Sequence, residues 1–187
     1  MERRNGYTFA VEKAEPIDAP AINEVSRQAW QDTYPNEELG ITLEDVLLRT
    51  DGLEGELIQQ KIDQWRDAIE SSGESHEVFV GKVGEEVVGF VSPRVIKSGE
   101  RRIAAIYVSP DAQGNGYGAA LLQSALDWHG GDSDVYLHVV AYNQQAIGFY
   151  ERFGFVQTGR AVEDRLSKSR GLPEWPLIEM MLSTSSE

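Results

Sequence analysis

Ile103-Ala104-Ala105-Ile106-Tyr107-Val108-Ser109-Pro110-Asp111-Ala112-Gln113-Gly114-Asn115-Gly116-Tyr117-Gly118, continued by Ala119-Ala120-Leu121-Leu122-Gln123-Ser124-Ala125-Leu126, reads as strand, loop and helix in succession. Its first six residues are apolar and rich in β-formers. Pro110 lacks an N–H and ends the ladder, and Leu122, Ala125 and Leu126 then recur at helical spacing. Between strand and helix, Gly114, Gly116 and Gly118 occupy alternate positions. Glycines there let successive backbone N–H groups turn toward one point, and the helix start adds unpaired N–H groups at a positive dipole end. The product suits a phosphate or pyrophosphate. No Gly-Lys-Ser/Thr follows, so this is not a Walker loop, and the glycine spacing does not fit a dinucleotide fingerprint. A glycine-rich turn alone can equally be a plain connection. The preceding strand, the following helix and Gln113 at the loop entry favour the anion site.

Working outward, Val78 to Val83 and Val87 to Val95 read as two strands across a Gly84-Glu85 turn, after a polar break at Ser71 to Ser75. Upstream, Tyr7, Phe9 and Val11 alternate with polar neighbours in a first strand. Asp18 is placed to cap a helix with Pro20 in its first turn and Ile22, Val25, Ala29 and Trp30 on one face. Thr42-Leu43-Glu44-Asp45 has the form of a capping box, and Leu57, Ile58, Ile62, Trp65 and Ile69 line a third helix. Downstream, Asp134 to Val140 is a strand and Asn143 a helix cap. Ala146, Phe149, Tyr150 and Phe153 are the buried face of a short helix ended by Gly154. Phe155 to Thr158 and Leu177 to Leu182 complete the strands. The charged linker from Gly159 to Trp175 has no clear assignment beyond a loop on the substrate side. No repeat or low-complexity segment occurs.

The totals set bounds. A length of 187 residues with 41% hydrophobic content suits one domain with an ordinary core. Zero cysteines remove disulfides, thiolate metal sites and a Cys nucleophile. With neither an apolar leader nor a run of about 18 apolar residues, the expectation is a cytoplasmic protein without a membrane span. The formal net charge of −14 lacks the basic footprint of nucleic-acid binding. It serves solubility, and it is compatible with a cationic acceptor such as an amine.

The Gln113-Gly114-Asn115-Gly116-Tyr117-Gly118 run resembles the pyrophosphate loop of the GCN5-related N-acetyltransferases (GNAT superfamily), whose pattern is Arg/Gln-x-x-Gly-x-Gly/Ala. A second match follows in order. Tyr136 to Val140, Asn143-Gln144-Gln145-Ala146 and Tyr150-Glu151-Arg152-Phe153-Gly154-Phe155 resemble that family's strand, Asn-x-x-Ala helix and Tyr-Glu-x-x-Gly-Phe ending. The resemblance covers about Val78 to Val156 and implies an α/β fold of the α+β kind: a mixed central sheet of about six to seven strands, flanked by helices, whose central parallel strands splay at a bulge. It implies one domain over 1–187, with a strand and acceptor-side helices over about 1–75 and the sheet core with its acetyl-CoA site over 76–187. It also implies the cosubstrate, acetyl-CoA, and no metal. The backbone of Ile106, Tyr107 and Val108 would pair with the pantetheine arm, an N–H near Val108 would hold the thioester oxygen, and Asn143 would touch the lower cofactor. Asn115 stands where many members carry Lys or Arg. The early helices would wall the acceptor pocket, making Trp30 and Tyr34 candidate acceptor contacts; Trp30 also continues an apolar stripe and reads equally as core. Similar proteins often pair, so a homodimer is compatible.

With no Cys and no Ser-His-Asp arrangement, direct attack of an amine on the thioester is the economical reaction. The amine must be neutral: for a lysine-like pKa only about 1 in 10³ is neutral at pH 7, worth roughly 4 kcal/mol, whereas an α-amino group needs roughly 1. A base therefore matters most for alkyl amines. His138 takes the position where ribosomal-protein-type members carry a catalytic Glu, five residues before Asn143, and it titrates in the useful range, which predicts an acidic limb near pH 6 to 7 in the rate profile. It also reads as an ordinary strand histidine. The family's other frequent base, a Glu on the organising strand, is replaced by Arg102 and Ala104, with Glu100 earlier. Tyr150 matches the tyrosine that protonates the departing thiolate. The expected activity is N-acetylation of a primary amine, either a small amine or polyamine, or a peptide or protein N-terminus. The alternative is a catalytically silent acyl-CoA-binding or regulatory module, told apart by thioester turnover. A nucleotide-binding P-loop protein would bind ATP instead of CoA.

Overall fold

The structure, a computed structural model, describes residues 3–4, 7–50, 55–172 and 174–184. Its strands form one eight-stranded sheet in the order β1-β2-β3-β4-β5-β6-β8-β7. These are β1 (Arg3–Arg4), β2 (Tyr7–Lys13), β3 (Phe79–Val83), β4 (Glu86–Val95), β5 (Arg101–Val108), β6 (Val135–Val140), β7 (Val156–Ala161) and β8 (Leu177–Leu182). β1 is a two-residue bridge; the other seven are the main strands. β5 and β6 pair in parallel and every other neighbour antiparallel, so the sheet is mixed, as expected.

Helices cover both faces. On one face, α4 (Tyr117–His129) and α5 (Gln144–Arg152) bury Leu121, Leu122, Ala125, Ile147 and Tyr150 against Val91, Ile103, Val135, Leu137, Val139 and Met180. On the other, α1 (Ala19–Thr33) and α3 (Gly55–Glu70) pack Ile22, Val25, Ile62, Trp65 and Ile69 onto Val78, Val80 and Phe90. The alternation of β4 and β5 side chains supplies both cores, because successive residues point to opposite faces. α4 sits close on the sheet: a Cβ added at Gly89 would lie 2.9 Å from Leu121 Cδ1. Two short helices complete the chain, α2 (Leu43–Arg49) and α6 (Arg165–Arg170). Among the described residues, no helix is long and apolar enough to cross a membrane.

Local expectations hold in most places. Thr42 Oγ1 accepts from the Asp45 N–H at 3.1 Å and the Asp45 carboxylate accepts from the Thr42 N–H at 2.8 Å, closing the capping box of α2. Asn143 Oδ1 accepts from the Ala146 N–H at 3.0 Å and caps α5. Three details differ. Asp18 precedes α1 without bonding to it; its carboxylate accepts from the Glu15 N–H at 2.9 Å and pairs with Lys82 at 3.0 Å, because a short 3₁₀ turn over Pro16–Asp18 turns it back. Leu57 is 44% exposed, as α3's first turn runs past the edge of the core it covers. The charged linker is ordered: β7 extends to Ala161, α6 follows, and Trp175 is buried. The Tyr7 side chain lies outside the described residues.

Candidate active site

The site begins where the sheet fails to pair. The parallel ladder of β5 and β6 runs only through Arg101↔Val135, Arg102↔Tyr136 and Ile103↔Leu137. On its other edge β5 meets β4 throughout, but Ser92 pairs with Ala105 and Pro93 with Ile103, leaving Ala104 as an extra, bulged residue. A bulge bends and twists its strand. Beyond it, Ala104 to Val108 turn away from β6, which stays zipped to β8 through Val140↔Leu177. The result is a wedge with unpartnered β5 backbone along one wall, the kind of edge that accepts an extended chain.

A cleft of about 630 Å³ fills the wedge. Its walls are Ile103 to Val108 and His138 to Val140, and α5 contributes Ala146, Phe149 and Tyr150. At one end the glycine loop presents Gln113, Gly114, Gly116 and the start of α4. Gly114 and Gly116 have φ of 79° and 78°, the left-handed region where a side chain is strained, and Gly116 caps α4 so that the first-turn N–H groups open toward the cleft. The Gln113 side-chain amide donates to the Val108 carbonyl at 3.3 Å, tying loop to strand. Asn115 is not on the cleft wall; its amide donates to the Ala112 and Gln113 carbonyls at 3.0 and 3.1 Å. Tyr117 lines the cleft at its edge, while its ring is buried and stacks on Phe9 at 4.1 Å.

The other end is aromatic. Trp30, Tyr34 and Trp175 meet with ring centroids 4.8 to 5.5 Å apart, in the range of favourable ring contacts. Tyr107 leans on Trp30 at 6.2 Å. Trp30, Tyr34, Tyr107 and Asn143 line this part of the cleft together, and burial raises the pKa of both the Tyr34 and the Tyr107 phenols. Asn143 thus both caps α5 and reaches the cleft. Tyr150 is buried beside Phe149 and Phe155; burial first, then the neighbouring Tyr34, push its phenol well above the ordinary value.

His138 sits on the opposite wall at the mouth. Its Nε2 lies 2.7 Å from Arg102 Nη1 and 3.5 Å from Glu179 Oε2. Arginine can only donate, so Nε2 accepts and Nδ1 carries the proton. Burial and the Arg102 charge lower the His138 pKa below its usual value. Arg102 also pairs with Glu100, and Glu179, only 5% exposed, gathers Thr158 at 3.0 Å and Arg160 at 3.4 Å.

The reading of the sequence missed two groups. Arg49, 5% exposed, lies with its guanidinium 4.3 Å from the Trp175 ring centroid and pairs with Asp164, 2% exposed, at 2.7 Å. Nothing about an arginine at the end of a short helix announces this. Glu179 did leave a signal, a lone charge inside the apolar run Leu177-Ile178-Glu179-Met180.

The architecture agrees with what comparison finds. The model of the acetyltransferase (GNAT) family matches residues 28–155. The peptidyl-lysine N-acetyltransferase YjaB of Salmonella typhimurium is 34% identical over 97 residues, 52% of this chain and 58% of that protein. The peptidyl-lysine N-acetyltransferase YiaC of Escherichia coli is 30% identical over 125 residues, 65% of this chain and 81% of that protein. The crystal structure of the PaiA N-acetyltransferase of Thermoplasma acidophilum in complex with coenzyme A superposes with a TM-score of 0.66 at 18% identity, covering 94% of this chain and 99% of that one. With the family model spanning most of the chain, the chain belongs to the acetyltransferase (GNAT) family.

Proposed function

We propose that the protein moves the acetyl group of acetyl-CoA directly to a primary amine, a peptide lysine before a small amine or an N-terminus. The observation that carries this is the ladder that stops at Ile103↔Leu137 and leaves β5 backbone facing a cleft with an anion cradle at its end. The Gln113 to Gly118 loop and the first turn of α4 would hold the pyrophosphate through backbone N–H groups. These are suited to the task because the chain as a whole is acidic. Ile106, Tyr107 and Val108 would pair with the pantetheine arm. Bound there, acetyl-CoA supplies an acyl group already activated as a thioester, so the reaction needs neither a covalent enzyme intermediate nor a metal.

The residues then divide the proton work. A β5 N–H near Val108 stabilises the oxyanion as the amine nitrogen bonds to the carbonyl carbon. His138, neutral and at the cleft mouth, takes the proton that the amine loses; its Nε2 is released when Arg102 settles on Glu100 and Glu179, its existing partners. Tyr150 gives its proton to the sulfur as the C–S bond breaks, and the burial that raises its pKa keeps it protonated until that moment. Trp30 and Tyr34 close the far wall around the acceptor. The peptide lysine is preferred because the two relatives named above are peptidyl-lysine N-acetyltransferases. A cytoplasmic setting goes with that reading.

The test is free-thiol release from acetyl-CoA against lysine peptides, N-terminal peptides, polyamines and aminoglycosides, with CoA binding followed by calorimetry. Turnover of lysine peptides is expected; CoA binding without turnover of any amine would overturn the assignment.

A further inference from the structure

A second depression adjoins the cleft on the α3 side of the sheet. This open groove of about 960 Å³ is walled by Trp65 and Ala68 of α3, the Glu74 to His76 segment, Ser92 and Arg94 to Lys97. It meets the catalytic cleft at the bulge, because Ala104 and Ala105 line both. Anything held in the groove therefore lies beside the bulged part of the cleft wall, in the cleft that His138 also lines.

The groove is basic although the chain carries −14 overall. Arg94 and Lys97 line it, and Glu74 is the one carboxylate that does so among the described residues. Arg94 stands directly opposite Arg102 in the antiparallel register of β4 and β5, so two guanidinium groups share one face of the sheet. Like charges placed opposite each other destabilise a strand pair. Arg102 is compensated by Glu100 and Glu179, and Arg160 by Glu179. Among the described residues, neither Arg94 nor Lys97 has a carboxylate partner. The other titratable groups on this face, His76 and His138, add no negative charge. An anion seated beside Arg94 would relieve the repulsion that the register imposes.

We propose that this groove reads an acidic residue of the acceptor, so that the preferred substrate is a peptide lysine with Asp or Glu within about three positions. The inference rests on the acetyl-transfer reading above. Arg94 lies two residues along β4 from Ser92, the partner of Ala105 at the cleft, so roughly 7 Å separates them along the strand, the span of about two residues of extended peptide. A carboxylate there forms a charge-assisted bond to Arg94. It also draws Arg102 away from His138 Nε2, which frees the base in the presence of substrate. A polycation would meet Arg94, Arg102 and Lys97 and be repelled.

The experiment compares kcat/KM for blocked lysine peptides of equal length flanked by Glu, Ala or Lys, with spermidine and free glutamate as further acceptors. The Glu-flanked peptide should exceed the Lys-flanked peptide and spermidine by about 10-fold or more at low salt, and the gap should close as salt rises. In R94E the Glu-over-Ala ratio should fall by about 10-fold or more, through KM. Calorimetric CoA binding reports that the variant is folded, which the removal of a like-charge pair favours. Equal use of the three peptides, or an unmoved ratio in R94E, overturns the proposal while leaving acetyl transfer standing. Turnover of free glutamate with none of the peptides overturns the peptide source, and inhibition by inorganic phosphate without any peptide preference reduces the groove to an adventitious anion site. No thiol release from any acceptor, with CoA bound, brings down the transferase reading itself and this inference with it.

Discussion

In the proposed mechanism Tyr150 and His138 carry opposite protonation demands, and their surroundings shift their pKa values in opposite directions. Burial raises the Tyr150 pKa and keeps the phenol protonated. Replacing it with Phe removes the donor while keeping the ring that packs on Phe149 and Phe155. Stopped turnover assays of Y150F should show kcat lowered by about 10 to 10³-fold with CoA affinity retained; an unchanged kcat would remove Tyr150 from the mechanism. For His138, burial and Arg102 lower the pKa, so the neutral form persists into mildly acidic solution. The acidic limb of kcat/KM should therefore lie below the ordinary histidine value of about 6.5. H138Q should abolish that limb. A limb that survives in H138Q would assign the proton to water or to Glu100.

At the scale of elements, the Arg49–Asp164 ion pair joins α2 to α6 across a long sequence separation. Arg49 ends α2 and Asp164 caps α6, with its Oδ1 accepting from the Ser167 N–H at 3.2 Å and its Oδ2 from the Trp175 N–H at 2.9 Å. Burial alone would raise the Asp164 pKa, yet these N–H groups and Arg49 hold it below the usual range. Removing the cation leaves a buried carboxylate, so R49A should lose about 3 to 5 kcal/mol of stability in urea titrations. Losing less than about 1 would mean that water replaces the guanidinium. R49M, which restores packing against Trp175, should not rescue it, since Asp164 stays unpaired. The wedge is likewise an element-scale product: a single extra residue, Ala104, bends β5 off β6. No residue pattern in an apolar strand distinguishes a bulged alanine from a paired one.

For the whole molecule, acid should act in two stages. His129 and His138 both have lowered pKa values, burial being the first cause in each. Below about pH 6.5 the unfolded chain takes up protons that the folded chain refuses, so stability falls as pH drops from that value toward the folded pKa values. Asp164 acts with the same sign in a lower window. Its pKa is depressed, so its contribution is complete above the unfolded value of about 3.9 and is lost as pH falls through the folded one. Urea midpoints should decline from pH 7 to 5 and again below about pH 4; a flat profile between 7 and 5 would mean that both histidines titrate normally. The sequence by itself determined the strands, the glycine loop, the Asn143 cap and the Tyr150 helix, because each is written in local periodicity, turn chemistry or a contiguous motif. It also placed the candidate cofactor contacts in chain order. What only the tertiary structure decided was which groups meet: Arg49 with Asp164, Trp175 with Trp30 and Tyr34, Arg94 opposite Arg102, and His138 under Arg102. These depend on strand register and on segments more than a hundred residues apart in three of the pairings, Arg49 with Asp164, Trp175 with Trp30 and Trp175 with Tyr34. Side chains brought together by a sheet leave no trace in the spacing of either segment alone.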